Sequence, residues 1–404
     1  MSEPEVEAGA PTDPSGLGPE VKQSLMGKYD LAQKAGGVVA PVLTALLAFL
    51  VGGLVVLITT GKNPLTTYRA IFEGAGFNWF LPWVSGAQRE AAALNMQQTL
   101  IITTTLVFTG LAVGFAFRCG LFNIGGQGQY IVGAIFAVWI GSSFEGMNPF
   151  LHVLMAILAG AGCGALWAGI AGVLKATVGA HEVISTIMLN WIAIWVGVFL
   201  FGLGGPLQNS RQEFVPISND IFPGAKLPVF WGSSVFQGLH VGFFIAIGAL
   251  VVYWLILSRT TLGYGVKAVG FNPEAARYGG ISVSRNYFLA MAISGAFAGL
   301  AGAIDILGWQ FRLATGDITG ATIAFVGIAV ALLGRNTAVG IALASLLFAG
   351  LLVGTSTRNL DPEVFKPELA SNLTLLIQGL VVLFVGADVI VLWLMSRVRR
   401  RRPA

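Results

Sequence analysis

What constrains this chain most is a succession of apolar runs, each about as long as a bilayer is thick, separated by short polar segments. Roughly 20 apolar residues in a helix cross the hydrocarbon layer. On that ruler, runs fall at 39–60, 99–117, 129–140 with its flanks, 151–176 and 183–203. Five more fall at 239–257, 287–307, 319–333, 339–355 and 372–395. The pattern predicts an all-α polytopic membrane protein of about ten transmembrane helices, the third and eighth being short. Composition agrees where it decides something. Charged residues are only 10% of the 404 and hydrophobic ones 55%, whereas a water-soluble domain carries about a quarter charged residues. Such a chain is built for contact with membrane lipid.

Orientation follows from the basic residues in the short connections, which favour the cytoplasmic side. Lys22, Lys28 and Lys34 precede the first run, and Arg259, Lys267, Arg277 and Arg285 lie between the sixth and seventh. Arg335 lies between the eighth and ninth, and Arg397, Arg399, Arg400, Arg401 and Arg402 follow the last. Ten crossings put all of these on one side, with both termini cytoplasmic. Residues 1–38 open with Glu3, Glu5, Glu7 and Asp13 and are rich in Pro and Gly. They are expected to be a disordered acidic tail, without the pattern of a signal peptide. Residues 39–395 form the transmembrane domain, and 396–404 a basic cytoplasmic tail. The basic residues sit in loops and tails, so no nucleic-acid footprint is expected. Cys119 and Cys163 both fall in apolar stretches. They read as packing residues, without a disulfide framework or a metal site.

Polar segments interrupt the apolar pattern. Arg118-Cys-Gly-Leu-Phe-Asn-Ile-Gly-Gly-Gln-Gly-Gln129 and Gly308-Trp-Gln-Phe-Arg-Leu-Ala-Thr-Gly-Asp-Ile-Thr-Gly320 are rich in glycine and small polar groups. Non-helical backbone at membrane depth persists only when buried in protein or lining a wet cavity. These segments lead into the third and eighth crossings, which run in opposite directions. That fits two inverted halves around a central pathway; two tight loops are the competing reading. In His181-Glu-Val-Ile-Ser-Thr-Ile-Met-Leu-Asn190, the amide of Asn190 lies two turns inside a crossing and needs a helix, water or a solute as partner. Asp305, Asp317 and Asp388 are the remaining acids near the ends of the crossings, positions equally compatible with the membrane interface. Gly160, Gly164, Ala168 and Gly172, and Ser294, Ala298 and Gly302 beside Gly295, Gly299 and Ala303, form stripes suited to close helix packing.

Between the sixth and seventh runs lies Thr261-Leu-Gly-Tyr-Gly-Val-Lys-Ala-Val-Gly-Phe-Asn-Pro-Glu-Ala-Ala-Arg-Tyr-Gly-Gly-Ile281. Asn272 suits a helix cap, Pro273 the first turn and Glu274 the positive end. Gly279 and Gly280 suit a left-handed ending. A rigid helix of about two turns results, held at the membrane surface, where a cytoplasmic motor can dock. The chain itself lacks a nucleotide loop: Gly27-Lys28 is followed by Tyr29, and Gly61-Lys62 by Asn63. No nucleophile–base pair stands out either, so an enzyme is not expected.

Four motifs in order resemble the ABC importer permeases of the branched-chain amino acid, ribose and nucleoside class. They are Gly120-Leu-Phe-Asn-Ile-Gly-Gly-Gln-Gly-Gln129, His181–Asn190, Val269-Gly-Phe-Asn-Pro-Glu-Ala-Ala-Arg-Tyr-Gly-Gly-Ile281, and Thr315–Gly320 through Gly327-Ile-Ala-Val-Ala-Leu-Leu-Gly-Arg335. The match is nearest to the simple-sugar and nucleoside subgroup, which works with a basic-membrane-protein type lipoprotein. The resemblance implies a multi-pass permease of a bacterial cytoplasmic membrane, paired with a second, homologous permease. It implies an ABC ATPase that uses ATP and magnesium outside this chain, and an extracytoplasmic binding lipoprotein that delivers a small neutral solute. The loop 258–286 would couple to the ATPase through Gly270, Asn272, Pro273, Glu274, Ala275, Ala276, Arg277 and Gly279. Asn123, Gln127, Gln129 and Asn190 are expected to line the route of a nucleoside or simple sugar. Gln127 stands where the family commonly has Glu, which puts any role of a charge there in doubt. A branched-chain amino acid permease is the alternative, and an ion-coupled carrier using Asp305 or Asp388 a more distant one.

Overall fold

The computed structural model describes residues 45–58, 61, 63–233 and 238–356, together with 42, 372, 375–377, 379–380 and 383. The helices in chain order are α1 (Ala45–Ile58), α2 (Pro64–Gly74), α3 (Gly86–Arg118), α4 (Gly126–Ser143) and α5 (Pro149–Val178). They continue as α6 (Glu182–Phe201), α7 (Gly242–Arg259), α8 (Thr261–Phe271), α9 (Pro273–Tyr278) and α10 (Val283–Asp305). The last are α11 (Thr315–Gly320), α12 (Ile323–Leu333) and α13 (Ala338–Gly354). A two-stranded antiparallel ribbon, β1 (Val229–Trp231) and β2 (Leu239–His240), precedes α7.

Among the described residues, six stretches are long and apolar enough to cross a membrane: α3, α5, α6, α7, α10 with its continuation to Gln310, and α11 through α12. Each covers one of the apolar runs. Runs 39–60 and 339–355 correspond to the shorter helices α1 and α13, and the third run to α4. The tenth run, 372–395, lies mostly outside the described residues, and so do the tails 1–38 and 396–404. The largest boundary difference is at α3, which begins at Gly86, well before the apolar run. Residues 87–98 are dominated by Ala, Gln, Glu, Arg, Leu and Met, all good helix formers. A hydropathy ruler ignores the part of a helix that reaches beyond the apolar layer.

Local chemistry sets the helix ends. Asn148 accepts the Phe150 and Leu151 N–H groups at the start of α5, Pro149 takes the first turn, and Gly179 closes the helix at φ 68°. Thr337 accepts the Gly340 N–H at 3.1 Å and starts α13. Inside the bundle, α4, α5 and α10 meet backbone to backbone. A Cβ placed on Gly299 would lie 2.3 Å from the carbonyl oxygen of Gly160, and one on Gly164 2.5 Å from that of Gly295. One on Gly133 would lie 2.3 Å from the Gly299 oxygen. Both small-residue stripes therefore serve the contact the sequence assigns to them. Their benefit is dispersion and close approach, since lipid leaves little hydrophobic drive between helices.

At one end of the bundle, Arg118 closes α3 and its guanidinium donates to the Asn336 carbonyl at 2.8 and 3.1 Å. The Gly270 backbone lies against the Arg118 carbonyl, so closely that a Cβ there would sit 2.3 Å from it. The C-terminal ends of α3 and α8 and the link from α12 to α13 thus form one platform.

Candidate solute pathway and coupling surface

The first polar interruption is an irregular segment from Cys119 to Gly125 between α3 and α4. Its backbone is satisfied by side-chain amides. Asn123 Oδ1 accepts the Gly125 N–H at 2.9 Å and the Gln129 amide at 3.0 Å. Asn123 Nδ2 donates to Gln129 Oε1 at 2.9 Å and to Ser294 Oγ on α10 at 2.7 Å. From α6, Asn190 Oδ1 accepts the Gly128 N–H at 2.7 Å, and its Nδ2 donates to the Ile124 carbonyl at 3.0 Å. Gln127 Oε1 accepts the Ala324 N–H at 3.3 Å, which ties the first interruption to the start of α12. Its Nε2 is buried and has no hydrogen-bond partner among the described residues. Asn123, Gln127, Gln129 and Asn190 therefore come together in one buried cluster.

The second interruption has a different character. Beyond Asp305 the helix widens into a π-helical turn, Ile306–Gln310, and ends at Phe311 in the left-handed region at φ 61°. Such turns are frequent at functional sites. Asp305 is 1% exposed. It accepts three bonds, from Thr105 Oγ1 at 2.5 Å, Tyr130 Oη at 2.7 Å and Trp309 Nε1 at 3.1 Å. Three donors from three helical segments draw Asp305, an acid near the end of its apolar run, into the protein core. Asp317, by contrast, is exposed and accepts the Ala314 N–H at 3.0 Å at the start of α11. Asp388 lies outside the described residues.

Asp305, Tyr130, Trp309, Gln310 and Asp317 line a cavity of about 730 Å³, whose apolar walls include Ile101 and Val326. That size is within the ~300–1,000 Å³ typical of small-molecule pockets. The four amides are not among its lining residues; their cluster adjoins it through Ala324, next to the lining residue Ile323. Sequence reasoning missed Thr105, Tyr130 and Trp309 as partners of Asp305. The available signal was an acid inside an apolar run, with an indole donor four residues later on the same helical face.

The polar segment 261–281 is two helices. Thr260 Oγ1 accepts the Gly263 N–H at 3.1 Å and starts α8, a helix additional to the one expected at Asn272. Asn272 Oδ1 accepts the Glu274 and Ala275 N–H groups at 3.0 and 3.1 Å and starts α9, with Pro273 in its first turn. Glu274 and Arg277 stand at the ends the helix dipole favours. Gly280 is left-handed at φ 79°, whereas Gly279 stays at φ −77°. Only one glycine is needed in that region, because the Ile281 N–H already reaches back to the Ala276 carbonyl at 2.9 Å. Ala276 is buried, while Phe271 is 89% and Tyr278 92% exposed. Gly270 seats α8 on Arg118, as above. At the other helix entrance, Glu182 pairs with Lys175 at 2.8 Å and joins the end of α5 to the start of α6.

A bundle of helices long and apolar enough to cross a membrane, with one interruption lining a cavity and another adjoining it, and a helix pair with exposed aromatics at one end, is the architecture of a membrane transport protein. Residues 95–386 match the branched-chain amino acid transport system permease component family, and the chain belongs to that family. It is 33% identical over 374 residues to the guanosine ABC transporter permease protein NupP of Bacillus subtilis, covering 92% of this chain and 99% of that one. It is 34% identical to the nucleoside ABC transporter permease protein NupB of Lactococcus lactis, covering 82% and 88%. It is also 34% identical to the glucose ABC transporter permease protein TsgB13 of Haloferax volcanii, covering 85% and 86%. No solved structure matches the chain significantly. The chain is thus a membrane-embedded permease subunit of an ABC transporter. Such subunits are not enzymes, and they work with an ATPase and a binding protein.

Proposed function

We propose that this chain is one of two permease subunits of an importer that carries a nucleoside or simple sugar across a bacterial cytoplasmic membrane. The observation that carries the reading is the seat of α8 and α9. Their exposed aromatics face away from the bundle, while Gly270 rests on Arg118, the residue that leads into the broken segment holding Asn123 and Gln127. A push on α9 is passed to the amide cluster through main chain. Relatives named for guanosine, nucleosides and glucose support the substrate class.

In this reading there are ten crossings in two inverted halves, with both termini, the tails 1–38 and 396–404 and the loop 258–286 in the cytoplasm. Gly270, Asn272, Pro273, Glu274, Ala275, Ala276, Arg277 and Gly279 form or support the contact with the ATPase, which binds ATP and magnesium. A second permease completes the pathway, and an extracytoplasmic lipoprotein delivers the solute. Asn123, Gln127, Gln129 and Asn190 line the route next to the cavity, where Gln127 Nε2 has a donor to offer. The neutral amide there suits an uncharged cargo.

The test is uptake by the assembled transporter in proteoliposomes, supplied in turn with labelled guanosine, uridine, glucose and leucine. ATP-dependent accumulation of a nucleoside or glucose is expected. Accumulation of leucine alone would make the chain an amino acid permease. Uptake driven by an ion gradient without ATP would sink the importer reading.

A further inference from the structure

The hydrogen bonds around Asp305 give the cavity a definite chemical bias. Three donors that could face a solute, the Thr105 and Tyr130 hydroxyls and the Trp309 indole N–H, all turn to the Asp305 carboxyl. Trp309 therefore offers the cavity ring carbon and no donor. The Tyr130 oxygen receives the Gln310 amide at 3.4 Å. Asp317 binds the Ala314 N–H through Oδ2. The described lining residues include two carboxyls, Asp305 and Asp317, and no Lys, Arg or His. Apart from a few polar groups, the remaining walls are apolar, among them Ile101, Ile131 and Val326.

We propose that this cavity holds the solute in transit, and that the Asp305 cluster fits it to an uncharged nucleoside while excluding phosphorylated and carboxylated compounds. The proposal rests on the importer reading and narrows its substrate class. A nucleobase has flat faces for Trp309 and the apolar walls, and N–H groups for the Asp317 carboxyl and the Gln310 amide oxygen. A hexose carries more hydroxyls than the ribose of a nucleoside, and each one buried without a partner costs about 1–3 kcal/mol. A phosphate would meet two acids and no cation. Asp305, nearly inaccessible, is a positioning residue; Trp309 and Asp317 make the contacts.

The test uses the assembled transporter carrying Thr322→Cys, a substitution at an exposed cavity-wall residue. Cys163→Ala removes the half-buried thiol elsewhere. Labelling rates are compared for a cationic trimethylammonium methanethiosulfonate and an anionic sulfonate one, each normalised to its rate with free cysteine. A wall of one charge sign concentrates its counter-ions, so the cation should react about tenfold faster or more. Asp317→Asn should cut that ratio severalfold. Saturating adenosine, guanosine or uridine should slow labelling, and their monophosphates or glucose should not. In uptake, Trp309→Ala should raise KM about tenfold with Trp309→Phe restoring most of the loss. Asp305→Asn should raise KM more than it lowers kcat. Equal rates for the two reagents overturn the proposal, and so do nucleosides that leave labelling unchanged while the same complex imports them. A complex that imports neither nucleoside nor sugar overturns the importer reading instead, with the reagent ratio still reporting the charge of the cavity.

Discussion

Asn190 Oδ1 accepts the Gly128 N–H at 2.7 Å, so a side chain on α6 completes the first turn of α4. The same amide donates to the Ile124 carbonyl at 3.0 Å. One side chain thus serves two buried backbone groups at a break in the membrane domain. Asn190→Ala leaves both without a partner, and each such group costs about 1–3 kcal/mol. Asn190→Ala should lower the unfolding midpoint in detergent clearly, while Asn190→Asp, which keeps the acceptor, should lose less. Unchanged melting of Asn190→Ala would count against a structural role for this pair.

The glycine contacts between α5 and α10 give a prediction with an internal control. Gly299→Ala would place a methyl carbon 2.3 Å from the Gly160 oxygen, and backbone cannot yield as a side-chain tip can. Gly162, on the same helix as Gly160, faces open space. Gly299→Ala should therefore sharply reduce the yield of folded protein by size-exclusion chromatography, and Gly162→Ala should leave it unchanged. Equal yields would mean that the helices can separate without cost.

Much of this fold was legible in the sequence because membrane spans obey a length rule, and because Asn272-Pro273 and the Gly-x-x-x stripes act locally. That Asn123, Gln127, Gln129 and Asn190 are neutral polar groups at broken or apolar positions was legible; that they meet in one cluster, apart from buried amides such as Gln97 and Asn286, was not. What stayed hidden was pairing at long range. Asp305 looked like an end-of-span acid because nothing local says that Thr105 and Tyr130, far away in sequence, supply hydroxyls to it. The start of α3 was hidden for the opposite reason. Residues 87–98 are helical by propensity but polar enough to fall outside a hydropathy window.

Phe271 and Tyr278 supply the coupling test. Both are almost fully exposed, so truncating them removes little from the folded chain. Aromatic side chains at the centre of an interface commonly carry about 2 kcal/mol or more of binding. The Phe271→Ala, Tyr278→Ala double variant should fold normally, co-purify with the ATPase at least roughly tenfold more weakly, and lose uptake accordingly. Ala276→Asp, which puts a charge under α9, should instead damage the helix itself. Full retention of the ATPase by the double variant would move the docking surface elsewhere.

His240 predicts how stability responds to acid. It ends β2, just before α7, with Nδ1 accepting the Gly242 N–H at 3.2 Å and its ring against the Gly308 backbone. Burial pushes its pKa down from 6.5 to about 4. Below pH 6.5 the unfolded chain takes up a proton that the folded chain refuses, so folding loses stability as pH falls from about 6.5 towards 4. The loss should level off below that, where both states are protonated. Thermal unfolding of the detergent-solubilised chain across this range should show the midpoint falling, with a flatter profile in His240→Gln, which cannot take up the proton. Identical pH profiles for the two proteins would show that His240 titrates alike folded and unfolded, and that the packing around Gly242 and Gly308 admits the charged ring.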